Sequence, residues 1–215
     1  MKTTIVSLIA GFAFVTSAQA VDLEPTLGKK GKLLFEEKFD STEVPKGWVK
    51  NTGTLAVSEG SLRMEELASE KHAGAFRKAL PVQNVAIQLS FKFDKAKMFH
   101  LGFDPATGEL NKKGHLYSVV VNPKAYSIIE HNDKADPTSK PVTHASKPSE
   151  FKDGQWYTML LENKGEDVVL QISDKELLRA KAEDFRVKKP GLVLRVSAAD
   201  GDGVFLDNVH VWELD

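Results

Sequence analysis

Five side chains near the middle of the chain could do acid–base or hydrogen-bonding chemistry as a group: His100, His115, Tyr117, Glu130 and His131. Each falls on or beside a stretch that reads as β-strand, and Arg77 could join them from another strand. If those strands are neighbours, the side chains would line one concave surface. Imidazole and carboxylate groups there could bind hydroxyl groups or trade protons. Tyr117 and Tyr126 are the tyrosines placed to stack on a ligand's ring. The plainer expectation, a partly exposed sheet face carrying polar residues, outweighs catalysis.

Other constellations are thinner. The chain has no cysteine and no HExxH run, which speaks against zinc and excludes disulfides. Glu36-Glu37 and Glu65-Glu66 are adjacent pairs, and neighbours on a strand face opposite sides, so neither makes a catalytic dyad alone. Asp200-Gly-Asp-Gly203 lacks the closing Glu of a calcium loop and reads as a hairpin turn. Trp48, Trp156 and Trp212 could be sugar platforms, but their contexts favour packing.

The elements that would position these groups are strands. Val85-Ala-Ile-Gln-Leu-Ser-Phe-Lys-Phe93 is apolar at every odd position, the signature of a sheet with one buried face. Lys97–Phe103 repeats the pattern with His100 opposite Phe99, Leu101 and Phe103. Hairpins are expected at Glu59-Gly60, Asn122-Pro123-Lys124 and Asn163-Lys164-Gly165. In the last strand the apolar phase slips at Asp207-Asn208, between Val204 and Leu206 on one side and Val209 and Val211 on the other. Such a slip predicts a bulge. His131 to Gly154, with three prolines and many charges, reads as a functional lid or a disordered loop. Helical periodicity is scarce, and many strands between turn signals predict an all-β sandwich.

Residues 1–20 carry the marks of a signal peptide: Lys2, a short apolar stretch, and Ala18-Gln19-Ala20. Cleavage after Ala20 and export to the periplasm or medium are expected. Residues 21–32 read as a linker arm and 33–215 as one domain. The 29 basic and 30 acidic residues are mixed, with no basic stripe for nucleic acid. No stretch is apolar enough to span a bilayer.

Together, Phe35-Glu-Glu-Lys-Phe-Asp40, Gly47-Trp48, Gly60-Ser-Leu62, Gly154-Gln-Trp-Tyr157 and Val204-Phe-Leu-Asp-Asn-Val209 resemble the concanavalin-like jelly-roll domains of exported bacterial proteins. The nearest likeness is to the 3-keto-disaccharide hydrolase-like family. That resemblance implies a two-sheet antiparallel jelly roll, first and last strands side by side, and a carbohydrate partner on the concave face. An Arg-Asn-Ser-Gly-like run of that family is not recognisable. Laminarinase-type glycosidases of the same fold resemble one another in a Glu-x-Asp-x-x-Glu strand, whose carboxylates share one face. Here the only Glu-x-Asp is Glu213-Leu-Asp215. The resemblance also implies where a structural calcium would sit, at Asp207 with Glu37 or Asp40, although no cofactor is required. The function expected is a non-catalytic carbohydrate-binding domain; the alternatives are a glycoside hydrolase and a structural or adhesive domain.

Overall fold

A computed structural model describes residues 21–215; the expected signal peptide lies outside the described residues. The strands are β1 (Lys30–Glu37), β2 (Trp48–Thr52), β3 (Thr54–Ser58), β4 (Ser61–Glu65), β5 (Gly74–Val82), β6 (Val85–Asp94), β7 (Met98–Phe103) and β8 (Tyr117–Asn122). They continue with β9 (Ala125–Glu130), β10 (Val142–Pro148), β11 (Trp156–Lys164), β12 (Asp167–Ile172), β13 (Leu178–Lys181), β14 (Lys189–Ser197) and β15 (Gly203–Leu214). Two short 3-10 turns, Ala68–Glu70 and Glu183–Arg186, are the helical pieces among the described residues.

The strands form two antiparallel sheets. One holds eight strands in the order β13-β12-β11-β6-β15-β4-β3, with β1 also paired to β15; the other runs β10-β9-β8-β7-β14-β5-β2. This is the β-sandwich that the alternation predicted, with the jelly-roll form that the resemblance implied. The inner faces bury Phe91 and Phe93 of β6, Phe99, Leu101 and Phe103 of β7, and Leu192, Leu194 and Val196 of β14 in one core. Phe91 stacks on Phe99 and Tyr157 with ring centroids 5.7 Å apart in each case. Burying each such ring stabilises the fold by about 1.5–3 kcal/mol.

Local signals are met at the turns. Glu59 and Gly60 both have positive φ, 56° and 67°, as a tight hairpin with the right-handed strand twist requires. The phase slip is also real: pairing of β15 with β6 shifts between Asp207 and His210, and Asn208 has φ 49°. The extra residue lets Val204, Leu206, Val209 and Val211 all face the core although their parity changes. At this bulge the other neighbour of β15 changes, from β4 before it to β1 after it. The first and last strands among the described residues are therefore paired beside each other.

Three expectations need correction. The segment from His131 to Gly154 is not a structureless lid: Val142–Pro148 forms the edge strand β10 on β9, where backbone pairing orders a polar sequence. Asp200–Gly203 is not a hairpin turn, because β14 and β15 lie in different sheets and the turn carries the chain across. Finally, β6 was expected to have one exposed face, yet Ala86, Gln88 and Ser90 are buried too. Their cover is the segment expected as a linker arm. Leu23 and Leu27 pack on Ala86, Leu160 and Leu214. The arm's backbone is tied down by Val21 N donating to Thr158, Leu23 N to Gln88, and Thr26 N and Leu27 N to Glu162.

Candidate functional site

The outward face of the seven-stranded sheet gathers most of the singled-out residues. On β7, Phe99, Leu101 and Phe103 are core residues, so His100 and Gly102 project outward. By the same parity Arg77 projects outward from β5, Val193 and Arg195 from β14, and Ser118 and Val120 from β8. Register then sets two rows. One is Arg195, His100, Val120 and Ser127; the other is Arg77, Val193, Gly102, Ser118 and Ile129. Gly102 is needed in its row, because a Cβ there would collide with the Ser118 hydroxyl.

His115 and His131 join from the strand ends. His131 N donates to Leu116 O at 3.0 Å, which brings the two imidazoles to 5.3 Å between centroids. His115 Nδ1 donates to Asp104 Oδ1 at 2.6 Å, and Arg77 donates to Asp104 Oδ2 at 2.7 Å and to Asn51 at 3.0 Å. His131 Nε2 shares a 2.8 Å hydrogen bond with Ser118 Oγ. Beside this group a cleft of about 410 Å³ is lined by Arg77, Asp104, Lys112, His115 and Lys134 among others.

The electrostatics keep two of the imidazoles uncharged. Burial, then the Arg195, His131 and His115 charges, pushes His100 down to about 3. Burial, then His115, Arg195 and Lys112, pushes His131 down to about 4. Both rings are therefore neutral near pH 7, each with one donor and one acceptor nitrogen. Burial alone would raise Asp104, but hydrogen bonds and charge from His115 and Arg77 outweigh it and hold the carboxyl below its usual range. Two features of the face are unsatisfied: both ring nitrogens of His100 and the Nε of Arg195 are buried with no hydrogen-bond partner among the described residues. Arg195 was not singled out from the sequence. Its signal was the charged residue in Leu192-Val-Leu-Arg-Val196, an apolar strand.

Three expected members do not belong to this face. Tyr117 and Tyr126 point inward. Tyr117 packs on Phe103 and Phe185, with its hydroxyl donating to Asn163, while the Tyr126 hydroxyl donates to Glu176 O at 2.6 Å. Neither is a stacking platform, because the parity of Tyr117, Val119 and Val121 is that of the core. Glu130 follows Tyr126 and Ile128 in parity and meets Lys112 and His144 at the rim of the sandwich. The tryptophans are also engaged: Trp48 packs on Phe35 and Phe39, and Trp212 stacks on His210 on the other sheet.

At the proposed calcium position, Glu37 accepts from Lys38 N and Phe39 N, so its carboxylate caps its own turn. Asp207 accepts from Asn208 N at 2.7 Å; burial raises its carboxyl, and the charge of Asp40 adds to that. Among the described residues, no group of three or more His, Asp or Glu is arranged to hold a metal.

No family model matches the chain, and no curated protein matches it in sequence. Solved structures do match in fold. A carbohydrate-binding module, CBM66 from Bacillus subtilis, superposes with a TM-score of 0.60 at 12% identity, covering 77% of this chain and 95% of that one. A non-specific endo-β-1,3(4)-glucanase of family GH16 gives 0.64 at 13% identity, with 86% and 91% covered. A protein of unknown function with a galectin-like fold from Bacillus subtilis gives 0.64 at 12%, with 86% and 98% covered. At these identities the likeness establishes a galectin-like jelly roll.

Proposed function

We propose that this chain is an exported, non-catalytic carbohydrate-binding domain whose ligand lies on the outward face of the seven-stranded sheet. The observation that carries this reading is the outward polar face on which Arg77, Arg195, His100, His115 and His131 gather beside a cleft of about 410 Å³. A hydroxyl-rich ligand supplies both donors and acceptors to such a face. The folds likened to this one include a carbohydrate-binding module and a glucanase, which supports a sugar as ligand. Export to the periplasm or medium rests on the signal-like residues 1–20. Kinship with the 3-keto-disaccharide hydrolase-like family rests on the short motifs alone.

Catalysis is disfavoured by the same geometry. A glycosidase needs two carboxyl groups flanking the bond. Asp104 is the carboxylate of this cluster, and it is held by Arg77 and His115. The Ser118–His131 pair is a poor nucleophile and base, because His131 is desolvated and Ser118 is only 4% exposed. The second reading, a hydrolase, draws on the Asp104–His115 pair, which could orient His115 as a base. Glycan-array binding combined with a product-release assay separates the two. Binding without turnover is expected; turnover abolished by His115→Ala would replace this reading with the hydrolase, and silence across every glycan would remove both.

This reading requires no cofactor. Asp207 with Asp40 is the pair a structural calcium would use, and a calcium-dependent rise in melting temperature would reveal it.

A further inference from the structure

Four of the five arginines are engaged. Arg63 donates to Asp94, Arg77 to Asp104, Arg179 to Thr26, and Arg186 to Glu166 and Glu183. Arg195 is the exception: among the described residues it has no hydrogen-bond or ion-pair partner, and its Nε is buried. A guanidinium cannot shed its proton to relieve this, and a buried N–H without an acceptor costs about 1–3 kcal/mol. Its planar fork is shaped for a carboxylate.

The neighbourhood has the matching sign. His100 stands directly across the strand pair from Arg195, and its neutral ring brings no competing charge. The adjoining cleft presents Arg77, Lys112 and Lys134; Arg77 is paired with Asp104 and Lys112 with Glu130, which leaves Lys134 and Arg195 as the cations in excess there among the described residues. A surface with surplus fixed positive charge attracts an anion and gains little from a neutral sugar.

We propose, resting on the carbohydrate-binding reading above, that the ligand is an acidic sugar, a uronic-acid residue whose carboxylate lies on the Nη edge of Arg195. The same face would hold no carboxyl-free glycan with comparable strength.

The test is calorimetry of the full chain against a panel of oligo-uronates. Each is paired with its own carboxyl-reduced neutral form, and a sulfated neutral oligosaccharide forms a third arm. A uronate should bind at least about tenfold more tightly than its reduced partner, and the preference should shrink as salt rises. Arg195→Gln should bring the ratio of the two affinities to about one, and Arg195→Lys should restore part of it. The wild-type ratio is measured without any variant, so a misfolded Arg195→Gln leaves the inference testable. Equal binding of uronate and reduced forms overturns the acidic ligand but keeps a sugar site. Preference for the sulfated form alone overturns the carboxylate. Binding to none of these and to no glycan on an array sinks the underlying reading as well.

Discussion

The two sheets turn very different outward faces to the surroundings. On the eight-stranded sheet, the polar side chains of β6 and β11 are used up. Glu162 accepts from Thr26 N, Leu27 N, the Thr26 hydroxyl and Gln171, and is fully buried under the arm. Gln88 and Thr158 take arm backbone groups as well. On the seven-stranded sheet, by contrast, His100 and Arg195 keep buried nitrogens unmatched. Both faces arise from the same alternation of strand side chains. The difference teaches that polar residues on a sheet face are structural where a segment of the chain itself answers them. Where nothing in the chain answers them, as on the seven-stranded sheet, they form the face on which the proposed ligand is placed.

That contrast can be broken, beginning with its costliest contact. Glu162→Ala strips the arm's acceptor and leaves two backbone N–H groups unmatched; a loss of roughly 3–5 kcal/mol is expected in urea unfolding. Glycan affinity should be untouched, because Glu162 lies on the opposite sheet. A mutant that keeps its stability would mean the arm does not seal that face.

Acid should come next. The folded-state pKa values of His100 and His131, about 3 and about 4, lie below the ordinary 6.5, so unfolded chains take up protons that folded ones refuse. Stability is then fully present above about pH 6.5 and falls as pH drops toward 4. For His100 alone the fall from 6.5 to about 3 amounts to something on the order of 5 kcal/mol at its limit. His100→Phe should reduce the pH slope of unfolding free energy between pH 6 and 4.5 by about one proton. An unchanged slope would show that His100 is already charged in the folded protein.

At neutral pH the same site should separate stability from binding. His100→Ala removes two unmatched nitrogens, so its unfolding free energy should stay within about 1 kcal/mol of wild type. Glycan affinity should drop about tenfold or more. Loss of stability with binding intact would reassign His100 to the structure. The smallest effect belongs to the core tyrosine: Tyr117→Phe forfeits one hydroxyl contact with Asn163, about 1 kcal/mol, and leaves glycan binding as it was.

Fold class was legible because its signals are local. The alternation in β6 and β7, the turn residues Glu59-Gly60, and the slipped phase at Asp207-Asn208 each concern a few consecutive residues, and each reappears in the structure. The site was half legible. His100, His115, His131 and Arg77 share a face because parity and strand adjacency both favoured it. Tyr117 and Tyr126 were misplaced because Val120 and Ile129 make both faces of β8 and β9 partly apolar, which blurs a period of two.

The sequence by itself determined a β-sandwich, its turns and the bulge in its last strand, since backbone geometry and side-chain alternation act over a few residues. Only the tertiary structure decided which polar groups meet. Arg195 lies across from His100 because β14 inserts between β5 and β7, and Glu162 is silenced because the arm at 21–29 folds back over β11. Whether a buried donor finds an acceptor depends on segments far apart in the chain, which no local pattern records.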